Sequence, residues 1–455
     1  DGDSSTCNVD RYPEIREVLG ITYRDEQGQI QINPDREIMD LSEVPFPYEE
    51  LQDFEHRIIY YESSRGCPFS CSYCLSSIDK RLRFRDLELV KKELQFLIDQ
   101  NVPQVKFVDR TFNCKKEHAM EIWQFLLESD NGVTNFHFEI AADLITEEEL
   151  DLLAKMRPGL VQLEIGVQST NLKTLEAIKR RMDFEKVREI VQRIQKSHNI
   201  HQHLDLIAGL PYEDYESFSK SFQDVYRLHP QQLQLGFLKV LKGSYMEAHL
   251  EEYGGVYQDK EPYEILATRW LPYEDVLRLK LVEEMVEVYY NSGQFQNLME
   301  AMEEKHSNMF RFFAGLGAFY EEKGYLKLSH TRIRRYEILL AFLEEKFPME
   351  IQKYRELAVL DVYARENAKS RPSFAADLGE HKERRRKFFQ QEEETRELLP
   401  SYEGYDWKQM MKMTHVEILS AVSKERKAVL FDYKVRDPLT GSARQIDVTD
   451  QMDWN

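Results

Sequence analysis

Three cysteines in one short segment are the most chemically informative feature of this 455-residue chain. Cys67, Cys71 and Cys74 form a C-x3-C-x2-C loop directly after the predicted strand 57–62. Three neighbouring thiolates can each bind one iron of a cubane cluster and leave the fourth iron without a protein ligand. An open coordination position distinguishes a catalytic metal centre from a structural one. The segment therefore predicts a four-iron centre with chemistry at its open corner.

A structural zinc site is the main alternative, because thiolates also bind zinc. Such a site needs four ligands, and Cys114 or His118 could supply the fourth. A group of thiols without any metal is the other alternative. The strand-then-loop context and the polar residues further along the chain favour the open iron–sulfur centre.

Composition and charge narrow the class of protein. The 61 basic and 81 acidic residues give a net charge of −20, which disfavours nucleic acid as a partner and favours a small-molecule or peptide substrate. No apolar run approaches the roughly 18 residues of a membrane helix, and no secretory signal is recognisable at the start of the sequence. Five cysteines, including Cys7 and Cys114, are too few for a disulfide scaffold. We therefore expect no membrane association and a reducing compartment, by default the cytoplasm.

Short apolar strands alternate with amphipathic helices between residues 56 and 255. The helical spacing of apolar residues is clear, for example, over 86–99. Such alternation predicts a parallel sheet with right-handed crossovers, and six units instead of eight predict an open, partial (β/α)6 barrel. In such folds the chemistry lies at the C-terminal ends of the strands. The six strand candidates are 57–62, 105–109, 136–141, 160–165, 203–208 and 233–240.

The segments on either side of this core have a different character. Residues 1–55 are polar and rich in turns, with a predicted hairpin around Arg24–Gln29, and read as an N-terminal lead-in and linker. Residues 256–455 are dominated by long charged helices and form a mostly helical C-terminal domain, with one late strand candidate at 427–434. We expect these helices to cap the mouth of the barrel and to shape the substrate site.

The cysteine loop and its place after the first strand resemble the signature of the radical S-adenosylmethionine (SAM) superfamily over residues 56–255. The resemblance implies that SAM chelates the open iron of a [4Fe-4S] cluster through its amino and carboxylate groups. It implies further that one electron breaks the S–C5′ bond and that a 5′-deoxyadenosyl radical then abstracts hydrogen from the substrate. Flavodoxin or ferredoxin would be the electron donor.

The resemblance also implies SAM contacts in the first half of the barrel. Tyr73 would approach adenine with its backbone, although an ordinary core aromatic is an equal alternative. Asp109 and Thr111, at the end of the second strand, would accept from the SAM amino group, with helix capping by Thr111 as the alternative. Glu139 interrupts an apolar strand and needs a partner, which would be a ligand ammonium, a ribose or an arginine of the chain.

Further contacts are implied in the second half of the barrel. Gln168 lies in a Glu-Ile-Gly-Val-Gln-Ser segment similar to the fourth strand of the coproporphyrinogen dehydrogenase and cobalamin-dependent branches. The downstream Arg180 resembles the arginine that contacts the SAM carboxylate in those branches, and Arg181 could replace it. Asp205 would accept from the ribose hydroxyls, or it could be a buried structural residue. The turn at Gly209 would let the backbone approach adenine.

Several other polar residues have simpler interpretations. The run His201-Gln202-His203 has metal-ligand residue types, but it lies at the start of a strand, and packing or surface placement is favoured. Cys114 follows the second strand near the expected cofactor and is interpreted as a spare thiol rather than a catalytic one. The basic run 384–387 is interpreted as part of a solvated helix.

The segment 25–40, the following Pro45-Phe46-Pro47-Tyr48 and the helical tail resemble the cobalamin-binding class of radical SAM enzymes. The subgroup that they resemble carries a C-terminal domain of unknown function. This resemblance implies cobalamin as a further cofactor and methyl transfer to an unactivated carbon. The printed sequence contains no cobalamin-binding domain and no Asp-x-His-x-x-Gly segment. Either such a domain precedes Asp1, or the protein works without it.

Three hypotheses for the function follow. The first is a cobalamin-linked radical SAM methyltransferase, and the second is a cobalamin-independent oxidoreductase of the coproporphyrinogen dehydrogenase type. The third is a non-enzymatic carrier of a cluster or haem. Methyl transfer from labelled SAM separates the first two, and the third predicts no SAM cleavage.

Overall fold

The structure, a computed structural model, describes residues 13–48, 50–54, 57–423 and 425–454. Cys7 lies outside these residues. The predicted N-terminal hairpin is present as β1 (Thr22–Arg24) paired antiparallel with β2 (Ile30–Ile32). The Asp25 side chain accepts hydrogen bonds from the backbone N–H of Gln27 and Gln29, which closes the turn.

Six parallel strands form the central sheet, in the order β10-β9-β8-β7-β6-β3. This order, in which each strand is added beside the preceding one, confirms the predicted partial (β/α)6 barrel, and each of the six strand candidates overlaps one strand. A small antiparallel pair, β4 and β5, follows the first strand. The strands are β3 (Ile59–Tyr61), β4 (Ser64–Arg65), β5 (Arg83–Phe84), β6 (Gln104–Phe107), β7 (Asn135–Ile140), β8 (Val161–Gln168), β9 (His201–Ala208) and β10 (Gln232–Phe237).

Helices cover the outer face of this sheet. The helix Phe184–Lys196 shows why they form: Asp183 caps its N-terminus, and apolar residues from Val187 to Ile194 recur at helical spacing and are buried. The helices of this region are α1 (Leu87–Asp99), α2 (Lys116–Glu128), α3 (Glu147–Leu153), α4 (Leu172–Ala177), α5 (Phe184–Lys196), α6 (Tyr215–Tyr226) and α7 (Tyr245–His249).

The strands alternate between an apolar outer face and a polar inner face. In β8, Val161, Leu163, Ile165 and Val167 are buried against the helices, and the residues between them, including Glu164, face the barrel interior. Because side chains alternate strictly along a strand, the same pattern places every second residue of β7 and β9 inside. The barrel interior is therefore lined by polar and charged side chains.

The C-terminal region is mostly helical, as predicted, and the late strand candidate belongs to a three-stranded antiparallel sheet. The helix α8 continues into one π-helical turn at Glu287–Asn291. The elements are β11 (Val256–Tyr257), β12 (Ile265–Ala267), α8 (Tyr273–Val286), α9 (Gln296–Lys305), α10 (Met309–Glu322), α11 (Arg332–Lys346), α12 (Ile351–Arg365), α13 (Lys382–Thr395), α14 (Trp407–Met413), β13 (His415–Leu419), β14 (Lys427–Arg436) and β15 (Ala443–Asp447).

The C-terminal helices pack mainly against the last βα unit of the barrel, and their expected place over its mouth stays a prediction. The helix α10 packs on α6, where the rings of Phe310 and Phe222 meet edge to face at 5.5 Å, and the π-helical turn contacts β10. The β11–β12 hairpin approaches the C-terminal strand ends, where Ile265 donates a backbone hydrogen bond to Leu238, and Lys280 of α8 lies over the ring of Phe237 at the end of β10. Large apolar side chains on α8 and α10 gain more burial against the last βα unit than a polar mouth could offer.

Among the described residues, one hydrophobic core runs through both regions, and a second, smaller core lies under α13, α14 and β14. A third cluster, which includes Leu210, Leu238 and Ile265, joins the C-terminal strand ends to the β11–β12 hairpin. None of the helices in the described part of the chain combines the length and the apolar character needed to cross a bilayer.

Candidate active site

The cysteine loop follows β4 and is held by backbone hydrogen bonds on both sides. Ser72 donates to the carbonyl of Ile178 over 2.9 Å and accepts from Met246 over 2.8 Å. Gly66 precedes the first cysteine with a φ of +97°, and a Cβ there would lie 2.5 Å from the carbonyl oxygen of Arg81. Only glycine fits this position, because both the left-handed backbone and the close approach exclude a side chain.

The three cysteines are free thiols, with Cys67 and Cys71 buried and Cys74 half-buried. Polar groups lie beside two of the sulfurs: Thr111 Oγ1 is 3.6 Å from Cys67 Sγ, and Arg180 Nη1 is 3.6 Å from Cys71 Sγ. The guanidinium stabilises the Cys71 sulfur in its anionic, metal-binding form, whereas the Thr111 hydroxyl already donates to the carbonyl of Arg110 at 2.8 Å. The donor set therefore fits an iron–sulfur cluster.

The residues considered as a fourth zinc ligand are poorly suited to that role. His118 Nε2 is 3.0 Å from Ser63 Oγ, so this nitrogen already has a hydrogen-bond partner. Burial and the neighbouring Cys67 raise the pKa of Cys114 to about 11, which opposes formation of its thiolate. The structure thus favours a loop of three thiolate ligands over a closed four-ligand site.

A cavity of about 180 Å³ opens beside the cysteines at the C-terminal ends of the strands. All three cysteines line it, together with six of the seven side chains that the sequence assigned to SAM: Tyr73, Thr111, Glu139, Gln168, Arg180 and Asp205. These residues come from the cysteine loop, from the segments after β6 and α4, and from β7, β8 and β9. The parallel sheet brings them together because its strands all end on one side.

Asp109 is the assigned residue that does not line the cavity. Its carboxylate is fully buried and accepts hydrogen bonds from Ser63 N at 3.0 Å, Ser63 Oγ at 2.7 Å and Ser64 Oγ at 2.5 Å. Burial raises the pKa of Asp109 to about 6, although these hydrogen bonds lower it. Asp109 therefore ties the end of β6 to the segment before the cysteines, and Thr111 is the acceptor from this segment that faces the cavity.

Arg180 is distinguished from its neighbour Arg181 by its surroundings. The Arg180 guanidinium donates to the carbonyl oxygen of Gly166 and faces Cys71, whereas Arg181 is exposed. The Arg180 Nε is enclosed and has no hydrogen-bond partner within the described residues. A guanidinium fixed at one end, with a donor still available, is suited to a carboxylate ligand.

Gln168 ends β8 in a left-handed conformation with a φ of +72°. Its Oε1 is enclosed without a hydrogen-bond partner in the described part of the chain. A Cβ on Gly166 would collide with the Gln168 amide, so glycine at this position makes room for that side chain. Such an amide can both donate to and accept from a ligand.

The acidic residues of the cavity lie close to one another. Burial and the nearby Glu164 carboxylate raise the pKa of Glu139 to about 7. The charges of Arg110 and Lys106 act in the opposite direction on this pKa, although no ion pair joins Glu139 to either residue among the described residues. Burial also raises the pKa of Asp205, whose Oδ1 lies 3.1 Å from His203 Nε2.

Gly209 was expected to let the backbone approach adenine. In the structure glycine is required here by a protein contact, because a Cβ at this position would lie 2.5 Å from Ile265.

The sequence assigned no role to several charged residues that the structure brings to this site. Glu164 and Arg110 line the cavity, and Lys106 Nζ lies 3.0 Å from Glu164 Oε2. Burial opposes ionisation of Glu164, but its contacts with His137 and Lys106 outweigh burial and lower its pKa to about 2. Polar residues at alternate positions of strands with an apolar outer face were the available signal.

The run His201-Gln202-His203 splits between three environments. Gln202 is buried on the outer face, where its amide donates to the carbonyl of Val191. His201 lines a separate cavity near the N-terminal end of the strands, and His203 points into the barrel interior. The expected packing role describes Gln202, but His203 faces the same interior as the cofactor residues.

A partial barrel with three cysteines after its first strand defines a class of enzyme. Residues 61–225 match the family model described as the radical SAM superfamily, so this part of the chain is a radical SAM domain. A [4Fe-4S] cluster is typical of this family, and its members use SAM. Residues 251–431 match a second family, described as "Protein of unknown function (DUF4080)". The predicted superfamily is thereby confirmed.

The similar proteins include several methyltransferases. The chain is 26% identical over 213 residues to an uncharacterized methyltransferase of Pyrococcus horikoshii, with 45% of each chain covered. It is 28% identical over 173 residues to the cobalamin-dependent radical SAM methyltransferase TokK of Streptomyces tokunonensis, covering 35% of this chain and 24% of the relative. These matches span less than half the length of either relative.

Among solved structures, the radical SAM methyltransferase TsrM from Kitasatospora setae, with cobalamin and a [4Fe-4S] cluster bound, has a TM-score of 0.45 at 18% identity, covering 54% of each chain.

Proposed function

We propose that this radical SAM enzyme transfers a methyl group to an unactivated carbon and that the reaction is linked to cobalamin. One observation carries the proposal: the three cysteine thiols and six candidate SAM-contacting side chains line a single cavity. The likeness to methyltransferases, one of them named as cobalamin-dependent, supports the methyl-transfer part. A cluster of this kind needs a reducing environment, so the proposal places the reaction in the cytoplasm.

Each residue has a proposed role. Cys67, Cys71 and Cys74 hold the cluster, and Arg180 stabilises the charge on the sulfur of Cys71. When bound, the cluster supplies an electron to SAM and cobalamin carries the methyl group. The electron would come from a flavodoxin or ferredoxin.

The remaining side chains would bind and orient SAM. Arg180 is proposed to bind the SAM carboxylate through its free Nε edge, a contact that a planar guanidinium makes with two parallel hydrogen bonds. Glu139 would accept from the SAM ammonium. Asp205 would accept from the ribose, and Tyr73 would border the adenine. Gln168 would fix the position of the amino-acid end.

Product analysis with cobalamin present and absent tests the proposal. The full chain is reconstituted with iron and sulfide under anaerobic conditions and incubated with SAM, a reductant and hydroxocobalamin. We expect S-adenosylhomocysteine and 5′-deoxyadenosine, both lost in Cys71→Ala. Cys114→Ala is the matched control, because it removes a half-buried cysteine outside the loop, and it should retain both products.

The other hypotheses predict different products. 5′-Deoxyadenosine alone, at a rate independent of cobalamin, would contradict methyl transfer and favour the oxidoreductase hypothesis. Intact SAM after incubation with a fully loaded cluster would contradict both enzymatic hypotheses.

A further inference from the structure

Two histidines and a glutamate converge in the barrel interior, next to the cavity but deeper in the sheet. His137 of β7, Glu164 of β8 and His203 of β9 each place one ligand atom within 4.8 Å of the other two. The imidazoles are 5% and 6% exposed. Glu164 pairs directly with His203 across the strands, so the sheet itself fixes this part of the cluster. Of the three, only Glu164 borders the cavity that holds the cysteines.

The imidazole nitrogens have close neighbours but no hydrogen bond. His137 Nε2 lies 2.9 Å from Glu164 Oε2, and His203 Nε2 lies 3.1 Å from the Oδ1 of Asp205. Both nitrogens are enclosed, yet within the described residues neither has a partner in hydrogen-bond geometry. Buried imidazole nitrogens are almost always satisfied, so two in one place require an explanation.

A shared metal ion would explain the short contact between His137 and Glu164, whereas the contact of His203 with Asp205 is an ion pair outside the three ligands. Ligand atoms on one ion with bonds of about 2.1 Å lie about 3 Å apart at the right angles of an octahedral site and about 3.4 Å apart at tetrahedral angles. The lone pairs of both ligand atoms point at the ion and not at each other. A hydrogen bond between the two ligand atoms is therefore poorly aligned. The 2.9 Å distance between His137 Nε2 and Glu164 Oε2, without hydrogen-bond direction, is therefore close to that of two neighbouring ligands at right angles.

The competing explanation is an ordinary ionic network centred on Glu164. Lys106 Nζ lies 3.0 Å from Glu164 Oε2 and competes with a metal ion for that oxygen. This network pairs His137 with Glu164 and His203 with Asp205 at ion-pair distance, but neither imidazole nitrogen has a partner in hydrogen-bond geometry among the described residues. The Lys106 ammonium repels every metal cation. Only an ion with a strong preference for imidazole ligands would therefore bind beside it.

We propose that His137, Glu164 and His203 bind a divalent first-row transition-metal ion, such as Zn²⁺, separately from the iron–sulfur cluster. Two imidazoles and one carboxylate are a known ligand set for such ions, and three protein ligands leave positions for further ligands. These positions suit an oxygen donor, either water or a hydroxyl, carboxylate or phosphate oxygen of the substrate. Binding of the ion requires neither SAM nor cobalamin, so this inference and the proposed function can fail independently.

Zinc binding to the full chain tests the inference directly. The cluster-loaded protein is dialysed against Zn²⁺ alone, and bound zinc and iron are counted by mass spectrometry. We expect one zinc per chain in addition to the cluster. X-ray absorption at the zinc edge should show nitrogen and oxygen ligands at about 2.0–2.1 Å and no sulfur at about 2.3 Å. A variant with all three loop cysteines changed to alanine should bind the same single zinc.

Matched variants locate the ion. His137→Gln and His203→Gln should each weaken zinc binding at least about 100-fold. His201→Gln is the control, because it removes a histidine two residues away on the same face of β9, and it should bind like wild type. Lys106→Met should instead tighten binding, because it removes a competing cation from Glu164. A damaged fold could not produce this gain.

Three outcomes would overturn the inference. They are the absence of zinc beyond the cluster, a sulfur shell around the bound zinc, and an equal loss of affinity in His201→Gln and His203→Gln.

Discussion

Arg180 links the two halves of the candidate site. Its guanidinium contacts the Gly166 carbonyl at the end of β8 and a sulfur of the cysteine loop, and its Nε is still free for a ligand. The positive charge serves two anions at once, the cluster ligands and the proposed SAM carboxylate. A lysine could not make both contacts, because its single ammonium lacks the planar fork.

We therefore expect Arg180→Lys to weaken SAM binding at least about tenfold, which corresponds to about 1.4 kcal/mol. Equilibrium dialysis of labelled SAM against cluster-loaded protein measures the effect, with iron content determined in parallel. The control is Arg181→Lys, which changes an exposed neighbour in the same way. Equal SAM affinity in the two variants would contradict the role of Arg180.

Gly66 precedes the cysteine loop and allows two effects on iron binding to be compared, the backbone strain of a positive φ and the steric clash of an added Cβ. We expect Gly66→Ala to lower the iron bound per chain to less than about half, because a methyl group would push the backbone at Arg81 away from the cysteine loop. Gly132→Ala is matched in backbone strain, since Gly132 has a φ of +75°, but a Cβ there meets nothing within 4 Å. Iron and sulfide analysis after identical reconstitution should separate the two, and equal loading would show that the loop tolerates the clash.

The first βα unit is held by a buried ion pair next to the cysteine loop. Arg85 donates to both carboxylate oxygens of Glu93 on α1, and each side chain is 6% exposed. The Tyr61 hydroxyl at the end of β3 donates to the same carboxylate at 2.6 Å, and Arg85 also donates to the carbonyl of Leu41. The strand, the helix and the N-terminal linker thus meet at one charged group.

Removing that carboxylate leaves a buried guanidinium without a counter-charge, so Glu93→Gln should lower the free energy of unfolding by about 3–5 kcal/mol. Urea unfolding followed by circular dichroism measures the change. Glu88→Gln provides the control on the same helix, because its side chain is 85% exposed, and it should change the midpoint little. If both variants unfolded at the same urea concentration, the ion pair would not stabilise the unit.

At the level of the complete chain, the barrel and the first C-terminal helices share one hydrophobic core. Phe310 of α10 is packed against Phe222 and Tyr215 of the barrel region. The smaller second core, which contains Phe388, lies apart from this cluster. The barrel should therefore depend on α10 and much less on α13.

Phe310→Ala should destabilise the protein by about 3–5 kcal/mol, because it opens a cavity in the shared core. The loss of cluster absorbance in urea should shift to lower concentration together with the circular dichroism signal. Phe388→Ala removes an equally buried ring from the second core and should leave the cluster transition near its wild-type position. A cluster transition unchanged in Phe310→Ala would mean that the barrel folds independently of α10.

Local patterns in the chain were enough to predict much of this protein. The cysteine loop is contiguous, so the spacing of its residues and its place after a strand predicted three thiolate ligands for an iron–sulfur cluster. The strands of the barrel and the helices around it follow from periodicity, which depends on neighbouring residues.

The convergence of side chains from different strands could not be derived in this way. Asp109 turns toward Ser63 and Ser64 instead of the cavity, Arg180 is enclosed while Arg181 is exposed, and His203 meets residues of two other strands. Each outcome depends on register, sheet curvature and helix packing, which are set by contacts between residues far apart in the chain. Residue type and spacing therefore established the chemistry that is available, and the folding of distant segments onto one another established which groups share a site.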